Sequence, residues 1–176
     1  MKLVVTGRDT AGRSVFVRDG AALRSTAFPD GGGFQELWVT EVRGLSALGL
    51  IADRIGDGFP FFPGPGDTRF RIVRLVPGYL ERAAEAPARE GEPGADVLEA
   101  DAPGMHTTDS VDFGVVLRGE VELELDDGQT RVLRAGDCFV QRATRHRWRP
   151  VGDEPLEMAV AMMGTATRAR RVSDAG

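Results

Sequence analysis

The stretch "GMHTTDSVDFGVVLRGE", Gly104 to Glu120, sets one histidine and two aspartates ahead of an apolar run, and the only other histidine, His146, stands in "QRATRHRWRP". Neutral imidazole and carboxylate are side chains that hold divalent Fe, Mn, Ni or Zn while leaving positions open to substrate or dioxygen. His106, His146 and either Asp109 or Asp112 are therefore candidate ligands. No third histidine exists to move protons, so the aspartate left out of such a set is the available acid–base group.

These residues need a scaffold, and the pattern around them is β-structure. In "GEVELELDDGQTRVL", Glu120, Glu122 and Glu124 alternate with Val121, Leu123 and Leu125, which at period two gives one wet and one buried face. "DDG" then reads as a hairpin turn and "TRVL" as the return strand. "CFVQR", "HRWRP" and "LEMAVAMMG" follow as strands separated by "RAGD" and "GDEP", a spacing that predicts a small sandwich or barrel. Asp112, Gly114 and Val116 share one strand face by parity, as do His146 and Trp148.

The first half is less regular. Short apolar runs at Lys2 to Val5, Ser14 to Arg18, Glu36 to Thr40 and Arg69 to Val76 predict strands of a β arm. Between the last two lies "GDGFPFFPGPGD", whose prolines and glycines block regular structure. Its Phe59, Phe61 and Phe62 are expected to pack over something apolar. Glu81 to Gly104, rich in Ala, Glu, Pro and Gly, reads as a solvated flexible loop with at most a helical turn, placed to act as a lid or a plain insertion.

Composition narrows the classes of function. The chain has 176 residues, 28% charged and 41% apolar, which suits one folded domain with an arm. A net charge of -5, with Lys2 the only lysine, leaves no basic stripe for phosphates, so nucleic acid is not an expected partner. The tail "RARR", Arg168 to Arg171, reads as a solvated terminus. One cysteine, Cys138, excludes an internal disulfide and a multi-thiolate site; its "CFV" setting suggests a small core residue. No apolar segment reaches the roughly 20 residues that span a bilayer, and the start lacks a leader pattern, so a cytosolic protein is expected.

Gly104, His106, Thr108, Asp112 and Gly119, followed by a hairpin and then Gly136-Asp137 leading to His146, resemble the two motifs of the cupins. "VVTGRD" and "ELWVTE" are similar to the arm of a group of small bacterial cupins. The resemblance implies an all-β, jelly-roll barrel: residues 1–103 form the arm, partial barrel strands and the loop at 81–103, residues 104–164 the motif core, and residues 165–176 a tail. It implies a divalent metal held by His106, Asp112 and His146, with Thr108 where the family has a second histidine and Asp112 where it has a glutamate. Asp109 is then the spare acid and the catalytic candidate.

Four residues are candidates for touching a substrate in such a barrel. Thr108 lies between the ligands, Gln141 is polar in an apolar strand, Trp148 stands beside His146, and Trp38 reaches the barrel mouth from the arm. Arg142, Arg145, Arg147 and Arg149 are mostly surface, with one at the mouth able to pair a carboxylate. The function implied is a metal-dependent enzyme acting on a small oxygen-bearing molecule as lyase, isomerase, decarboxylase or dioxygenase. A non-catalytic binder of small molecules is the alternative. A homodimer paired through its sheets follows from the resemblance alone.

Overall fold

The computed structural model describes residues 1–28, 30–40, 60–85 and 94–165. Eleven strands are present among these residues: β1 (Leu3–Arg8), β2 (Ser14–Gly20), β3 (Arg24–Ala27), β4 (Gly33–Thr40), β5 (Thr68–Leu75), β6 (Ser110–Arg118), β7 (Glu120–Glu124), β8 (Thr130–Arg134), β9 (Cys138–Arg142), β10 (Arg147–Val151) and β11 (Leu156–Gly164). A short helix α1 (Tyr79–Glu85) opens the segment expected to be a loop, and a single 3₁₀ turn follows at Ala95–Val97. No helix among the described residues is long and apolar enough to cross a membrane.

The strands make three sheets. β1 and β2 pair only with each other; β10-β7-β8 form a small sheet, and β3-β4-β5-β11-β6-β9 a large one. Of the segment expected to hold the arm and partial barrel strands, the β1–β2 hairpin stands as a sheet of its own, while β3, β4 and β5 are integral to the large sheet. Strand alternation explains the pairing. Leu156, Met158, Val160 and Met162 of β11 are buried on one face, and they meet Val116 of β6 and Val121 and Trp148 of the small sheet in one apolar cluster. The two sheets enclose that cluster as an all-β jelly roll.

Phe62 packs against the same cluster. A chain of edge-on aromatic contacts then runs from Phe62 to Phe61, Phe34 and Phe28, with centroids 4.8, 4.9 and 5.3 Å apart. The expected packing of Phe61 and Phe62 is therefore observed; Phe59 lies outside the described residues, as does "RARR". Cys138 corrects an expectation: it is exposed, because on β9 the inward parity belongs to Phe139 and Gln141.

The register of the large sheet decides what faces the interior. Antiparallel partners share a face, so the pairings place Val39, Arg69, Met162, Asp112 and Gln141 in one row across five strands. The adjacent inward row is Glu36, Arg71, Val160, Gly114 and Phe139. Gly114 is required there by the ring of Phe139, which would lie 2.1 Å from any Cβ at that position. Gly114→Ala is expected to cost about 1–3 kcal/mol by overpacking. Its combination with Phe139→Leu should recover most of the loss in chemical denaturation, and simple additivity of the two would contradict this packing.

Candidate functional site

Asp112 sits on the inward face of β6, nearly inaccessible to water. Ser110 Oγ lies 2.6 Å from its Oδ1 and 3.0 Å from Thr108 Oγ1. A serine hydroxyl has one proton, and the carboxylate at the shorter distance takes it. Thr108 then donates to Ser110, so two hydroxyls point their hydrogens along one line toward Asp112. Thr108 feeds this relay, where the sequence had placed it against a substrate.

Burial pushes the Asp112 carboxyl up to about 6, against the Ser110 hydrogen bond and the positive charge of Arg71, both of which favour ionisation. Arg71 itself is buried and held by Glu36, with Nη2 2.9 Å from Oε2, by the Phe61 carbonyl at 2.5 Å, and by the face of the Phe61 ring 4.4 Å from Cζ. Burial raises Glu36 and lowers Arg71, each partly offset by the other. Removing one partner of such a buried pair typically costs about 3–5 kcal/mol, so Glu36 and Arg71 stand or fall together. Arg69, equally buried, lies in Asp112's own row, two strands away across Met162, and donates to the Thr68 carbonyl at 2.9 Å.

The histidines meet by backbone as well as by ring. His106 and His146 exchange N–H···O bonds of 2.9 Å in each direction, and their rings lie 4.3 Å apart. His106 Nδ1 is 3.0 Å from the Gly104 carbonyl and His146 Nδ1 is 2.9 Å from the Thr144 carbonyl. A carbonyl only accepts, which assigns the proton to Nδ1 and the lone pair to Nε2 in both rings. Burial lowers His106, and burial together with the neighbouring His106 takes His146 down to about 3. Both are neutral imidazoles at physiological pH.

The turn that delivers His146 is unusual. Ala143 has φ 49°, a left-handed conformation rare outside glycine, and its N–H is anchored 2.9 Å from the Ser110 carbonyl. Gln141 Nε2 donates to the Thr144 hydroxyl and, at 3.4 Å, to the Thr144 carbonyl. Gln141 therefore braces the turn that carries the carbonyl partner of His146. Trp148 stands edge-on to His146 at 5.6 Å and tilts against Phe139 at 4.6 Å, an apolar wall tied to the imidazole pair. Its backbone carbonyl accepts from the buried Tyr79 hydroxyl at 2.5 Å.

The expected metal set meets only in part. The two imidazoles are suitable donors, neutral and oriented through Nδ1 as ligating histidines are. Yet among the described residues no three His, Cys, Asp or Glu side chains gather as a metal-binding group. The charge bearing on Asp112 is Arg71, and the acid bearing on His106 is Glu99. The residues described do not fit a three-ligand centre made with Asp112. Asp112 instead accepts from Ser110 at Oδ1 and lies in the field of Arg71.

Three other expectations change. Asp109 is exposed just before β6, whereas Asp112 is buried on its inward face. Trp38 pairs in register with the outward Phe70, because a bulge between Glu36 and Trp38 reverses parity; it faces away from the interior. Arg145, Arg147 and Arg149 are ion-paired to Glu99 and Asp126, to Glu124 and to Glu122, and Arg142 is exposed opposite Val111. The inward arginines are Arg69 and Arg71. Their alternation in "RFRIVRL" was the available signal, but charged residues at period two ordinarily mark a wet face.

The family described as Cupin domain matches residues 92–162. A cupin-domain-containing oxidoreductase of Neurospora crassa is 38% identical over 161 residues, covering 90% of this chain and 71% of that protein. Phomopsin biosynthesis cluster protein C' of Diaporthe leptostromiformis is 58% identical over 45 residues, which are 26% of this chain and 24% of that protein. The chain thus spans about a quarter of the length of the first curated relatives it matches. These relatives are fungal, and the bacterial group expected from the arm motifs is not shown by them. The cupin domain of a Schizosaccharomyces pombe protein has a TM-score of 0.48 at 12% identity, covering 93% of this chain and 87% of that one. With the alignment to the Neurospora protein running over nine-tenths of its length, the chain belongs to the cupin family.

Proposed function

We propose that this cupin is an enzyme that carries out acid–base chemistry, of lyase or isomerase type, on a small oxygen-bearing organic molecule, with Asp112 moving the proton. The observation that carries the reading is the placement of Asp112. It is a buried carboxylate on the inward face, fed by a two-hydroxyl relay and standing within the field of a buried arginine. A group with its affinity for protons set near neutrality can both take and return one.

The surrounding residues divide the remaining work. The Nε2 atoms of His106 and His146 carry lone pairs and accept from substrate hydroxyls. Arg71 bears on a developing oxyanion, held rigid by Glu36. Trp148 and Phe139 supply an apolar face for a planar ring. The relatives named as oxidoreductases and biosynthesis-cluster proteins support a small-molecule substrate.

The non-catalytic binder is favoured by one observation, Thr108 at the family's second ligand position, and the two readings separate experimentally. A panel of small cyclic ketones, β-diketones and phenols is incubated with the chain in D₂O, and deuterium uptake is followed by proton NMR. The enzyme reading predicts uptake at an acidic C–H that Asp112→Asn lowers by about 10²–10⁴-fold while binding persists. Binding with no exchange by the native chain supports the carrier, and neither binding nor exchange overturns both. Metal content is measured on the same samples. Stoichiometric Fe, Mn, Ni or Zn that His106→Ala removes would restore the metal-dependent reading.

Stability should follow pH through two opposed groups. Asp112 has its folded pKa raised to about 6, so its contribution is present below the ordinary carboxylate value and lost as pH rises through 6. His146 has its folded pKa lowered to about 3, so its contribution is present above the ordinary imidazole value and lost as pH falls toward 3. Between about pH 4 and 6 the slopes oppose one another. Asp112→Asn removes one of them, giving stability that climbs with pH and exceeds the native chain by about 3 kcal/mol near pH 7. Thermal unfolding across that range checks the sign; a variant less stable than the native chain near neutrality would contradict it.

A further inference from the structure

His106 reaches the barrel on a strap, residues 94–105, that joins none of the three sheets. The strap opens with the 3₁₀ turn at Ala95–Val97 and folds back on itself through a bridge between Leu98 and His106 and a bond of 2.9 Å from the Glu99 N–H to the Met105 carbonyl. Its backbone meets the β10 side of the barrel in one antiparallel bridge, the two N–H···O bonds between His106 and His146. Such a bridge is a small restraint on a segment of this length, because each of its bonds replaces one made to water. Gly104 packs so closely on α1 that a Cβ there would lie 2.2 Å from Leu80, which fixes the strap's C-terminal end. The middle needs another anchor.

Arg145, the residue before His146, supplies it. Its Nε lies 2.8 Å from Oε1 of Glu99 and its Nη2 2.7 Å from Oε2, so the guanidinium meets both carboxylate oxygens as a fork. Nη1 is 2.9 Å from Oδ1 of Asp126, in the turn between β7 and β8. One side chain thus joins the strap, the turn that delivers His146 and the end of the small sheet's hairpin. The neighbouring arginines do not duplicate it. Arg147 gives Nε and Nη2 to Glu124 and reaches the Pro103 carbonyl only at 3.5 Å, while Arg149 pairs with Glu122 and Glu124. The Arg145 and Glu99 side chains are 27% and 28% exposed, and ion pairs this wet add little to stability. What a planar fork does add is position.

We propose that Arg145 is a positioning residue for the imidazole pair: by holding Glu99 it seats the strap so that the His106 ring stands 4.3 Å from that of His146. The inference rests on the reading in which both imidazoles accept from substrate. A shift of the strap by about 1 Å would leave the barrel folded and separate the two acceptors, and misplacement of that size can cost about 10²-fold in rate.

The chain has two histidines, so nuclear magnetic resonance of the full chain tests this directly. The native chain should show Overhauser contacts between the two imidazole rings and slow amide exchange at His106 and His146. In Arg145→Met the ring contacts should be lost and those two amides should exchange about 10-fold faster or more, with the β11 amides and the thermal midpoint nearly unchanged. Arg145→Lys keeps the charge without the fork and should resemble Arg145→Met. Ring contacts and amide protection that persist in Arg145→Met overturn the proposal. Faster exchange throughout β11 also overturns it, by making Arg145 a general support of the fold, and a native-like Arg145→Lys overturns the fork. Deuterium uptake from the panel described above separates this inference from the reading it rests on. A fall of about 10-fold or more in Arg145→Met supports both. Native uptake that is untouched when the rings separate overturns the imidazoles' part in the reaction and leaves the clamp standing, as does a native chain without uptake.

Discussion

β11 is hydrogen-bonded along its length to β5 on one side and β6 on the other, and this double pairing is the constraint on which the rest of the interior depends. β5 and β6 lie on opposite sides of the central loops in sequence. Only the register of β11 brings Arg71 and Gly114 level with Val160, and Arg69 and Asp112 level with Met162. A slip of one residue would turn every one of these side chains to the other face. The buried methionines and Val160 resist such a slip, since it would expose the core and bury the outward aromatics.

The interior that results is polarised along the strands. The end near Val116, Val121 and Leu156 is apolar, and the rows containing Asp112 and Arg71 carry the charges. Burying those charges is unfavourable unless each is compensated. Arg71 is compensated by Glu36, a carbonyl and an aromatic face; Asp112 by the Ser110 hydrogen bond and the charge of Arg71, which fall short of offsetting burial, and its proton affinity rises. The histidines follow a different course and shed charge altogether, their tautomers pinned by two backbone carbonyls.

The small sheet illustrates the opposite treatment of charge. Glu120, Glu122 and Glu124 on β7 are flanked by Arg134 on β8 and by Arg147 and Arg149 on β10, giving a ladder of ion pairs on its outer surface. Such pairs are individually worth little, about 0–1 kcal/mol, and their value lies in keeping that face wet and unavailable to other strands. Apolar residues occupy the corresponding outward positions of the large sheet. The two sheets thus differ outside, with ion pairs on the small one and an apolar central row on the large one.

Much of the barrel was legible because its signals are local. The alternation of glutamates with Val121 and Leu123, the turns "DDG" and "RAGD", and the spacing of Gly104, His106, Asp112 and Gly119 lie within short windows, where strand period and turn chemistry act directly. The same windows put Asp112 with Gly114 and Val116, and His146 with Trp148, on shared faces that the resemblance turns inward, and Asp112, His146 and Trp148 are buried. The chain's own order of residues therefore determined the strands, the fold class and the meeting of His106 with His146. Which charges share the interior was decided only by tertiary structure. Glu36, Arg69 and Arg71 come from a half with weak patterning, a bulge sends Trp38 outward, and Asp109 and Asp112, three residues apart, part because only one has inward parity in β6. The reason is physical: a strand's period says which residues share a face, but only pairing with distant strands says which face is inside.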